Sequence, residues 1–424
     1  MTTTKRSPRR RAIILVPTAA ALLLTAACGA SSGGASSSSA ASSPSGESSA
    51  SSSSSAEPSS SASSETPAYC ADDAATALPA LQPSGIVGQG PNGEPAASPD
   101  DVAISDADAA TIKAGKNGTP FKVAIVFQFS GDWPNGQTKG LTDEFSKYGV
   151  EIISNTEANF KVDKQIANIE NAIQLQPDGI ISIPVDDVAT APAYKKVSEA
   201  GIKLVFMDNA AKGLKAPQDY QAVISADSQG NGQVAAKKLS CYIPQDGTVG
   251  IVDFGITFFV TNQRTKGAKD WFAANRPDIK IKEGNFTDPN QAGDVAANFL
   301  TANPDVNGVW AVWDGPAQGV ISALRAQGKN LPVTTIDLGD QAATDLASSE
   351  FLKGVGAQRP YEQGVAEARA MMLTLIGKTV PAWIGVPALP VIQNNLRQGY
   401  EDSWAKPLPE KPEAACKTNE PKCA

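Results

Sequence analysis

The 424-residue chain contains no histidine. This absence excludes the Ser-His and Cys-His pairs of nucleophilic catalysis and removes the commonest nitrogen ligand of zinc. The five cysteines do not compensate, because no two of them have the Cys-x-x-Cys spacing of a metal or redox site. We therefore expect no catalytic residues, no metal site and no cofactor.

Long apolar runs are also scarce, and the single clear example lies near the start. Five basic residues from Lys5 to Arg11 precede an apolar stretch at 12–27, which is followed by Cys28. This pattern is typical of an export signal, and the stretch is shorter than the about 20 residues of a membrane-spanning helix. The segment Leu24-Thr25-Ala26-Ala27-Cys28 resembles the lipobox of bacterial lipoproteins, which predicts cleavage after residue 27 and lipidation of Cys28. Cleavage elsewhere in the signal is the alternative.

The charge of the chain is acidic. Removal of the signal takes five positive charges from a formal net charge of −8 and leaves −13. A strongly acidic protein is a poor partner for nucleic acid. With no second long apolar run, we expect the membrane to be reached through the lipid alone, at the outer face of the cytoplasmic membrane.

Four further cysteines remain for an exported protein, and their even number indicates disulfides. Three pairings are possible. The short separation of Cys416 and Cys423 favours a bond between them, which leaves Cys70 for Cys241.

Two segments of biased composition precede the first strand-like run. Residues 28–66 are nearly all Ser, Ala and Gly, a composition that predicts a flexible tether. Residues 67–118 form a Pro-, Asp- and Ala-rich extension to which the sequence assigns no function. Gly88 to Gly93 matches the dinucleotide fingerprint literally, but no strand and helix flank it, so we interpret it as a chance match in a Pro/Gly-rich loop.

From Phe121 onward, strand-like apolar runs alternate with amphipathic helical segments. Val162, Ile166, Ile169 and Ile173, for example, fall on one helix face. Ten candidate strands occur between Phe121 and Gln358, more than one sheet usually holds. The alternation predicts an α/β protein with two Rossmann-like lobes built on parallel sheets.

Several predicted strands end in an aspartate followed by a turn. Ligands of open parallel sheets bind beyond the carboxyl ends of the strands, so Asp208 and Asp337 are candidate ligand contacts. For Asp227 and Asp314, capping of the following helix is an equal alternative.

A family resemblance covers residues 119–396. The matching pieces are Val123-Ala-Ile-Val-Phe127 followed by Gly131-Asp132-Trp133, Pro177-Asp-Gly-Ile180, Val205-Phe-Met-Asp208, Arg264-Thr-Lys-Gly267, Asn303-Pro-Asp305, Asp314 and Asp337. In this order and spacing they resemble the ribose-binding-protein family of type I periplasmic binding proteins. The resemblance implies a three-segment hinge and the following division: lobe 1 at 119–226 and 359–386, lobe 2 at 227–358 and 387–397, and a C-terminal tail at 398–424.

The resemblance also implies a set of ligand contacts in the cleft between the lobes. Trp133 and Phe286, or Thr287 beside it, match aromatic stacking positions, and Arg264 matches an arginine that reaches ligand hydroxyls. The remaining expected contacts are Asp132, Asp208, Asn209, Trp313, Asp314, Asp337 and Gln358. Asn209 stands where the family commonly has a basic residue and Trp313 where it commonly has asparagine, so the pocket should differ from a ribose site.

These features together predict a monomeric, lipid-anchored binding protein that captures a small sugar or polyol and delivers it to the permease of an ABC importer. Delivery to a membrane sensor is the alternative, and an exported glycosidase using two strand-end carboxylates is a more distant one.

Overall fold

The computed structural model describes residues 66–419 and residue 423. The export signal, Cys28 and all but the last residue of the tether lie outside this range, so their assignments stay predictions. No helix in the described part of the chain is long and apolar enough to cross a membrane.

The described residues form twelve strands, two more than the sequence predicts. They are β1 (Lys122–Phe127), β2 (Glu151–Glu157), β3 (Gly179–Ser182), β4 (Lys203–Met207), β5 (Ala222–Ala226), β6 (Thr248–Phe254), β7 (Lys280–Phe286), β8 (Gly308–Ala311), β9 (Val333–Ile336), β10 (Leu352–Ala357), β11 (Trp383–Val386) and β12 (Leu389–Val391). The two unexpected strands, β11 and β12, are short and contain Gly385 and Pro390, residues that weaken the sequence signal of a strand.

Thirteen α-helices accompany the strands in the described ranges. They are α1 (Ala74–Leu81), α2 (Asp106–Ala114), α3 (Asp132–Tyr148), α4 (Val162–Gln174), α5 (Ala191–Glu199), α6 (Ser228–Ser240), α7 (Phe259–Asn275), α8 (Ala292–Ala302), α9 (Asp314–Ala326), α10 (Asp340–Ser348), α11 (Pro360–Leu375), α12 (Leu396–Trp404) and α13 (Glu410–Thr418). Helix α4 coincides with the apolar spacing that the sequence shows.

The strands assemble into two six-stranded sheets of the same connectivity. Their orders are β2-β1-β3-β4-β5-β11 in lobe 1 and β7-β6-β8-β9-β10-β12 in lobe 2. Pairing between the strands is parallel except between β10 and β12, where it is antiparallel. This confirms the predicted fold class of two Rossmann-like lobes.

The chain passes between the lobes three times in the described part. It leaves the first sheet between β5 and α6, returns between β10 and α11, and leaves again between β11 and β12. The crossings follow β5, β10 and β11, which occupy the last two positions of their sheets, and together they form the three-segment hinge expected for this fold class.

Glycines allow the helices beside the hinge to approach closely. A Cβ on Gly232 of α6 would lie 2.0 Å from the carbonyl oxygen of Arg264, and one on Gly267 of α7 would lie 2.1 Å from that of Gln229. Helices α6 and α7 therefore touch through their backbones. This contact fixes the position of Arg264 at the carboxyl edge of the second sheet.

The C-terminal residues differ from the expected tail. Helix α12 buries Tyr400 and Trp404 in the core of lobe 2, and Cys416 of α13 is fully buried there. The nitrogen Nε1 of Trp404 donates to the carbonyl oxygen of Leu338 at 2.8 Å. The prediction of a C-terminal tail at 398–424 is wrong for these residues. The few large apolar residues of this segment are widely spaced in sequence, and they reach the core only in the folded structure.

Candidate functional site

The carboxyl edges of the two sheets each carry an aspartate directly after the fourth strand of the lobe. Asp208 follows β4 with φ of 51°, and Asp337 follows β9 with φ of 68°. These left-handed conformations are uncommon for residues other than glycine and are frequent where function requires a fixed side-chain direction. Both residues match the sequence expectation of carboxylates at this edge.

Arg264 reaches Asp337 from helix α7. Its Nη1 donates to Oδ2 of Asp337 at 3.1 Å and to the carbonyl oxygen of Val312 at 3.2 Å, while Nη2 lies 3.5 Å from Oδ1 of Asp337. The Arg264 side chain is only 5% exposed. A buried guanidinium of this kind is held in one orientation and can still donate from its remaining N–H groups.

Gln358, at the second crossing, extends this pair. Its Nε2 donates to Oδ1 of Asp337 at 2.6 Å, and its Oε1 accepts from Nε2 of Gln363 at 3.3 Å. Gln363 also donates to Oδ1 of Asp208 at 3.3 Å. The polar groups of the two lobes are thus joined through the hinge.

Burial raises the pKa of Asp208 to about 7; the Arg264 guanidinium opposes the rise, and the Asp337 carboxylate adds to it. Burial also raises the pKa of Asp314 to about 7, with a further contribution from Asp337. Two carboxyl groups therefore titrate near neutral pH within one site. Such groups are frequent where a protein binds or transforms a ligand.

Aromatic rings lie at the carboxyl edge of the first sheet. Trp133, in the first turn of α3, stacks on Phe129 with ring centroids 6.2 Å apart, and Phe129 stacks on Phe160 at 5.0 Å. Phe160 is 58% exposed. The sequence analysis identified Trp133 but missed Phe129 and Phe160; the signal available was the position of Phe129, two residues after β1.

A second aromatic cluster lies at the carboxyl edge of the second sheet. Trp313 contacts Phe254 and Phe286 edge to face at 5.5 Å and 5.3 Å between centroids. Phe286 is only 1% exposed, so its expected direct stacking on a ligand is not what the structure shows. Successive side chains of β7 point to opposite faces, so the ring of Phe286 enters the core and packs against Trp313, whereas the next residue, Thr287, is exposed.

The two lobes approach each other at Asp132 and Asp314. The amide of Gly339 donates to Oδ2 of Asp314 at 2.9 Å. A Cβ on Gly339 would lie 3.9 Å from Oδ2 of Asp132, which belongs to the opposite lobe. Carboxylates from both lobes therefore flank the same loop after β9.

Several buried polar atoms at these strand ends have no hydrogen-bond partner within the described ranges. They are Nε1 of Trp133, Nε of Arg264, and both side-chain amide atoms of Asn209, a residue that is only 2% exposed. Leaving such groups unpaired costs free energy, and a polar molecule with both donors and acceptors would satisfy them.

The remaining predicted site residues are cysteines, and the structure pairs four of them. Cys70 is bonded to Cys241 with 5.4 Å between Cα atoms, and Cys416 is bonded to Cys423 with 5.1 Å. Over the described ranges, no cluster of three acidic, cysteine or histidine residues is arranged to hold a metal ion.

Comparison with known families identifies this arrangement. The model described as "Periplasmic binding protein domain" matches residues 123–379. The chain belongs to this family. The matched region contains both sheets apart from Lys122 and the last two strands, and it includes every strand-end residue described above.

Relatives with this family's organisation include two ribose-related proteins. The chain is 25% identical over 249 residues to the ribose import binding protein RbsB of Bacillus subtilis, an alignment that covers 59% of this chain and 79% of the relative. It is 26% identical over 234 residues to the D-ribose/D-allose-binding protein of Pseudomonas aeruginosa, covering 54% and 73%.

Solved structures show the same fold. A solute-binding protein of an ABC transporter from Agrobacterium vitis, bound with α-D-tagatopyranose, superposes with a TM-score of 0.62 at 22% identity, covering 68% of this chain and all of the other. One from Actinobacillus succinogenes with bound D-allose has a TM-score of 0.59 at 24% identity, covering 66% and 100%. The extension at 67–118 precedes the region matched by the family model.

Proposed function

We propose that the protein is an extracytoplasmic solute-binding lipoprotein that captures a small sugar or polyol between its lobes and delivers it to an ABC importer. The observation that carries the proposal is the presence, at the carboxyl edges of the two sheets, of a buried Arg264 paired with Asp337 and of the half-buried rings of Trp133 and Trp313. A sugar presents apolar C–H faces and an edge of hydroxyls, which match these two surfaces.

The roles of the individual residues follow from their chemistry. Arg264 donates to ligand hydroxyls, and Asp208 and Asp337 accept from them. Trp133 and Trp313 cover the ring faces from opposite lobes. Asn209 supplies one donor and one acceptor that the folded chain leaves unpaired.

The relatives support the class of ligand and the transport role. Their names or titles specify ribose, allose and tagatopyranose as ligands, and ribose import or an ABC transporter as the context. Asn209 and Trp313 depart from the residues common in ribose-binding proteins, so we expect a sugar or polyol other than ribose itself.

Attachment to the membrane is part of the proposal and is supported by sequence alone. The lipobox-like segment before Cys28 and the Ser-rich stretch after it are suited to a lipid anchor followed by a spacer. The folded lobes are proposed to act as a monomer, because the ligand contacts come from two lobes of one chain.

A thermal-shift screen of the protein against pentoses, hexoses, inositols and sugar alcohols tests the ligand class. A ligand at 100 times its dissociation constant should stabilise the fold by roughly 2.7 kcal/mol. The same screen on Arg264→Ala is the specificity control, and a loss of affinity of thirtyfold or more should reduce the stabilisation to about 0.9 kcal/mol or less. Amino acids and peptides are screened alongside as negative controls, and stabilisation by them instead of by sugars would contradict the proposal.

A further inference from the structure

Gln363 is a fully buried glutamine that the sequence analysis did not single out. Its Nε2 donates to Oδ1 of Asp208 and to Oε1 of Gln358, both at 3.3 Å, and its Oε1 accepts from Nε2 of Gln137 at 3.4 Å. The side-chain amide has two hydrogens, so both donations can exist together.

These contacts form one path across the hinge. From Asp208 in lobe 1 the path runs through Gln363 to Gln358, and from there to Asp337 and Arg264 in lobe 2. Gln363 lies in the first turns of α11, immediately after the second crossing. It therefore occupies the point where the polar groups of the two lobes meet.

We propose that Gln363 is a positioning residue that orients the carboxylate of Asp208 and couples it, through Gln358, to the Asp337–Arg264 pair. Burying a side-chain amide between helices costs free energy unless its hydrogen bonds are satisfied. An apolar residue of similar volume would fill the same space without this cost. The ligand-related part of this inference rests on the proposed function.

The charged or titratable groups around Asp208 come from three elements: Arg264 from α7, Asp337 from the end of β9 and Glu367 from α11. The donor of Gln363 and the guanidinium of Arg264 favour the ionised carboxylate, whereas burial and Asp337 oppose it. Burial raises the pKa of Glu367 well above its ordinary value.

Replacement of the amide by an isosteric thioether, Gln363→Met, tests the inference. In the ligand-free protein, the Asp208 carboxyl carbon is followed by NMR as a function of pH, with Asp208→Asn as the assignment control. Loss of the donor should move the Asp208 titration upward by roughly 0.5 to 1 unit. Affinity for a sugar found in the screen should fall roughly tenfold. The decline of affinity at low pH should also begin at a higher pH in the variant than in the wild type.

Thr374→Val is the matched control, since Thr374 is also a buried polar residue of α11 and lies far along the helix from Asp208. It should leave both measurements unchanged. If Gln363→Met does not fold, Gln363→Asn, whose amide is one methylene short of Asp208, should give the same upward shift. An unchanged Asp208 titration in the folded variant overturns the inference; a shifted titration in a protein that binds no sugar instead refutes the proposed function alone.

A second inference concerns residues 67–118, which are attached to both lobes. On lobe 2, Cys70 is bonded to Cys241, and Nζ of Lys237 donates to the carbonyl oxygen of Ala80 at 2.7 Å. On lobe 1, Ala97 forms a parallel bridge with Ile384 of β11. The extension thus begins on one lobe and continues on the other.

Between these attachments the extension is bonded to two of the three crossings. Nε2 of Gln82 donates to the carbonyl oxygen of Ala388 at 2.8 Å, between β11 and β12. The amides of Val87 and Gly88 donate to the carboxylate of Asp227 at 2.8 Å and 3.0 Å. Asp227 is fully buried and also caps α6 by accepting from Gly230 at 2.9 Å.

We infer that residues 82–97 form a strap that restricts rotation of the lobes. Hinge motion is absorbed by changes in the backbone angles of the crossings. A segment that is fixed on both lobes and hydrogen-bonded to two crossings must lose some of these bonds when the lobes separate. The strap therefore limits how far the unliganded cleft opens.

Two strap variants test this inference in ligand-free protein. The double variant Cys70→Ser with Cys241→Ser removes the covalent part of the lobe-2 attachment. Gly88→Val introduces a side chain where a Cβ would already lie 3.3 Å from Oδ1 of Asp227 and 3.4 Å from the Trp383 ring. Both should increase the radius of gyration in small-angle scattering and speed amide exchange at the crossings roughly tenfold.

The control is Cys416→Ser with Cys423→Ser, which removes the other disulfide of lobe 2 and leaves the strap intact. This variant should keep the wild-type radius and the wild-type exchange at residues 227–230 and 387–388. If both strap variants also keep the wild-type values, the strap does not restrain the hinge. Because no ligand is needed, this result is independent of the proposed function.

Discussion

Asp208 and Asp337 occupy equivalent positions in the two lobes, each directly after the fourth strand and each with a positive φ. Their partners differ, since Arg264 pairs with Asp337 whereas a neutral glutamine donates to Asp208. The symmetric backbone therefore carries an asymmetric charge distribution. This asymmetry separates the chemical roles of the two carboxylates.

Arg264→Ala should weaken ligand binding strongly. Removal of one partner of a buried, hydrogen-bonded charge pair costs about 2 to 5 kcal/mol, which corresponds to a loss in affinity of about thirtyfold or more. Calorimetry with a ligand from the screen measures this loss. Arg325→Ala, which breaks an arginine–carboxylate pair on the surface of α9, is the matched control and should bind normally.

Asp208 should make ligand affinity and stability respond to pH in opposite directions. Its folded pKa of about 7 lies above the ordinary value, so the folded state binds the proton more tightly than the unfolded state. Its contribution to stability is therefore fully present below the unfolded pKa near 4 and is lost as the pH rises through about 7. Ligand affinity should instead fall below pH 7, because a protonated Asp208 accepts hydroxyl donors less well.

Asp208→Asn tests both parts of this expectation. At pH 8 the variant should be more stable than the wild type, by at most about 4 kcal/mol for a shift of 3 pKa units. It should also bind ligand more weakly and lose part of the pH dependence of affinity. Urea unfolding and calorimetry at pH 5.5 and 8 measure these quantities; a variant with unaltered stability at both pH values would contradict the assignment of the buried charge.

Ligand binding should close the cleft between Trp133 and Trp313. The two rings lie on opposite lobes, so closure is the movement that lets both exclude water from one ligand. Small-angle scattering should show a smaller radius of gyration with saturating ligand. Trp133→Phe and Trp313→Phe should each reduce the fluorescence response, with Trp271→Phe, a core tryptophan of lobe 2, as the control. Equal radii and unchanged responses would exclude this mechanism.

The lipid anchor is tested by Cys28→Ser. Because the lipid on Cys28 is the proposed attachment, its loss should release the protein from the membrane fraction. Cell fractionation and labelling with a radioactive fatty acid measure the change. Retention of the variant in the membrane fraction at the wild-type level would refute the lipoprotein assignment.

The sequence by itself determined the fold class and the positions of two carboxylates at the ends of their strands. Alternation of strand and helix patterns is a local property, and the positions of Asp208 and Asp337 after their strands follow from it. Arg264 could be assigned only through the family resemblance, because its contact with Asp337 spans 73 residues of sequence.

The tertiary structure decided which neighbouring groups act on these residues. Gln363 lies 155 residues from Asp208, and Val87 lies 140 residues from Asp227, distances at which no periodicity or spacing carries information. The same reason explains the burial of Phe286 beneath Trp313 and the packing of α12 into lobe 2. Local patterns fix where a side chain leaves its strand or helix, whereas its partners depend on how the helices and the extension pack around the hinge.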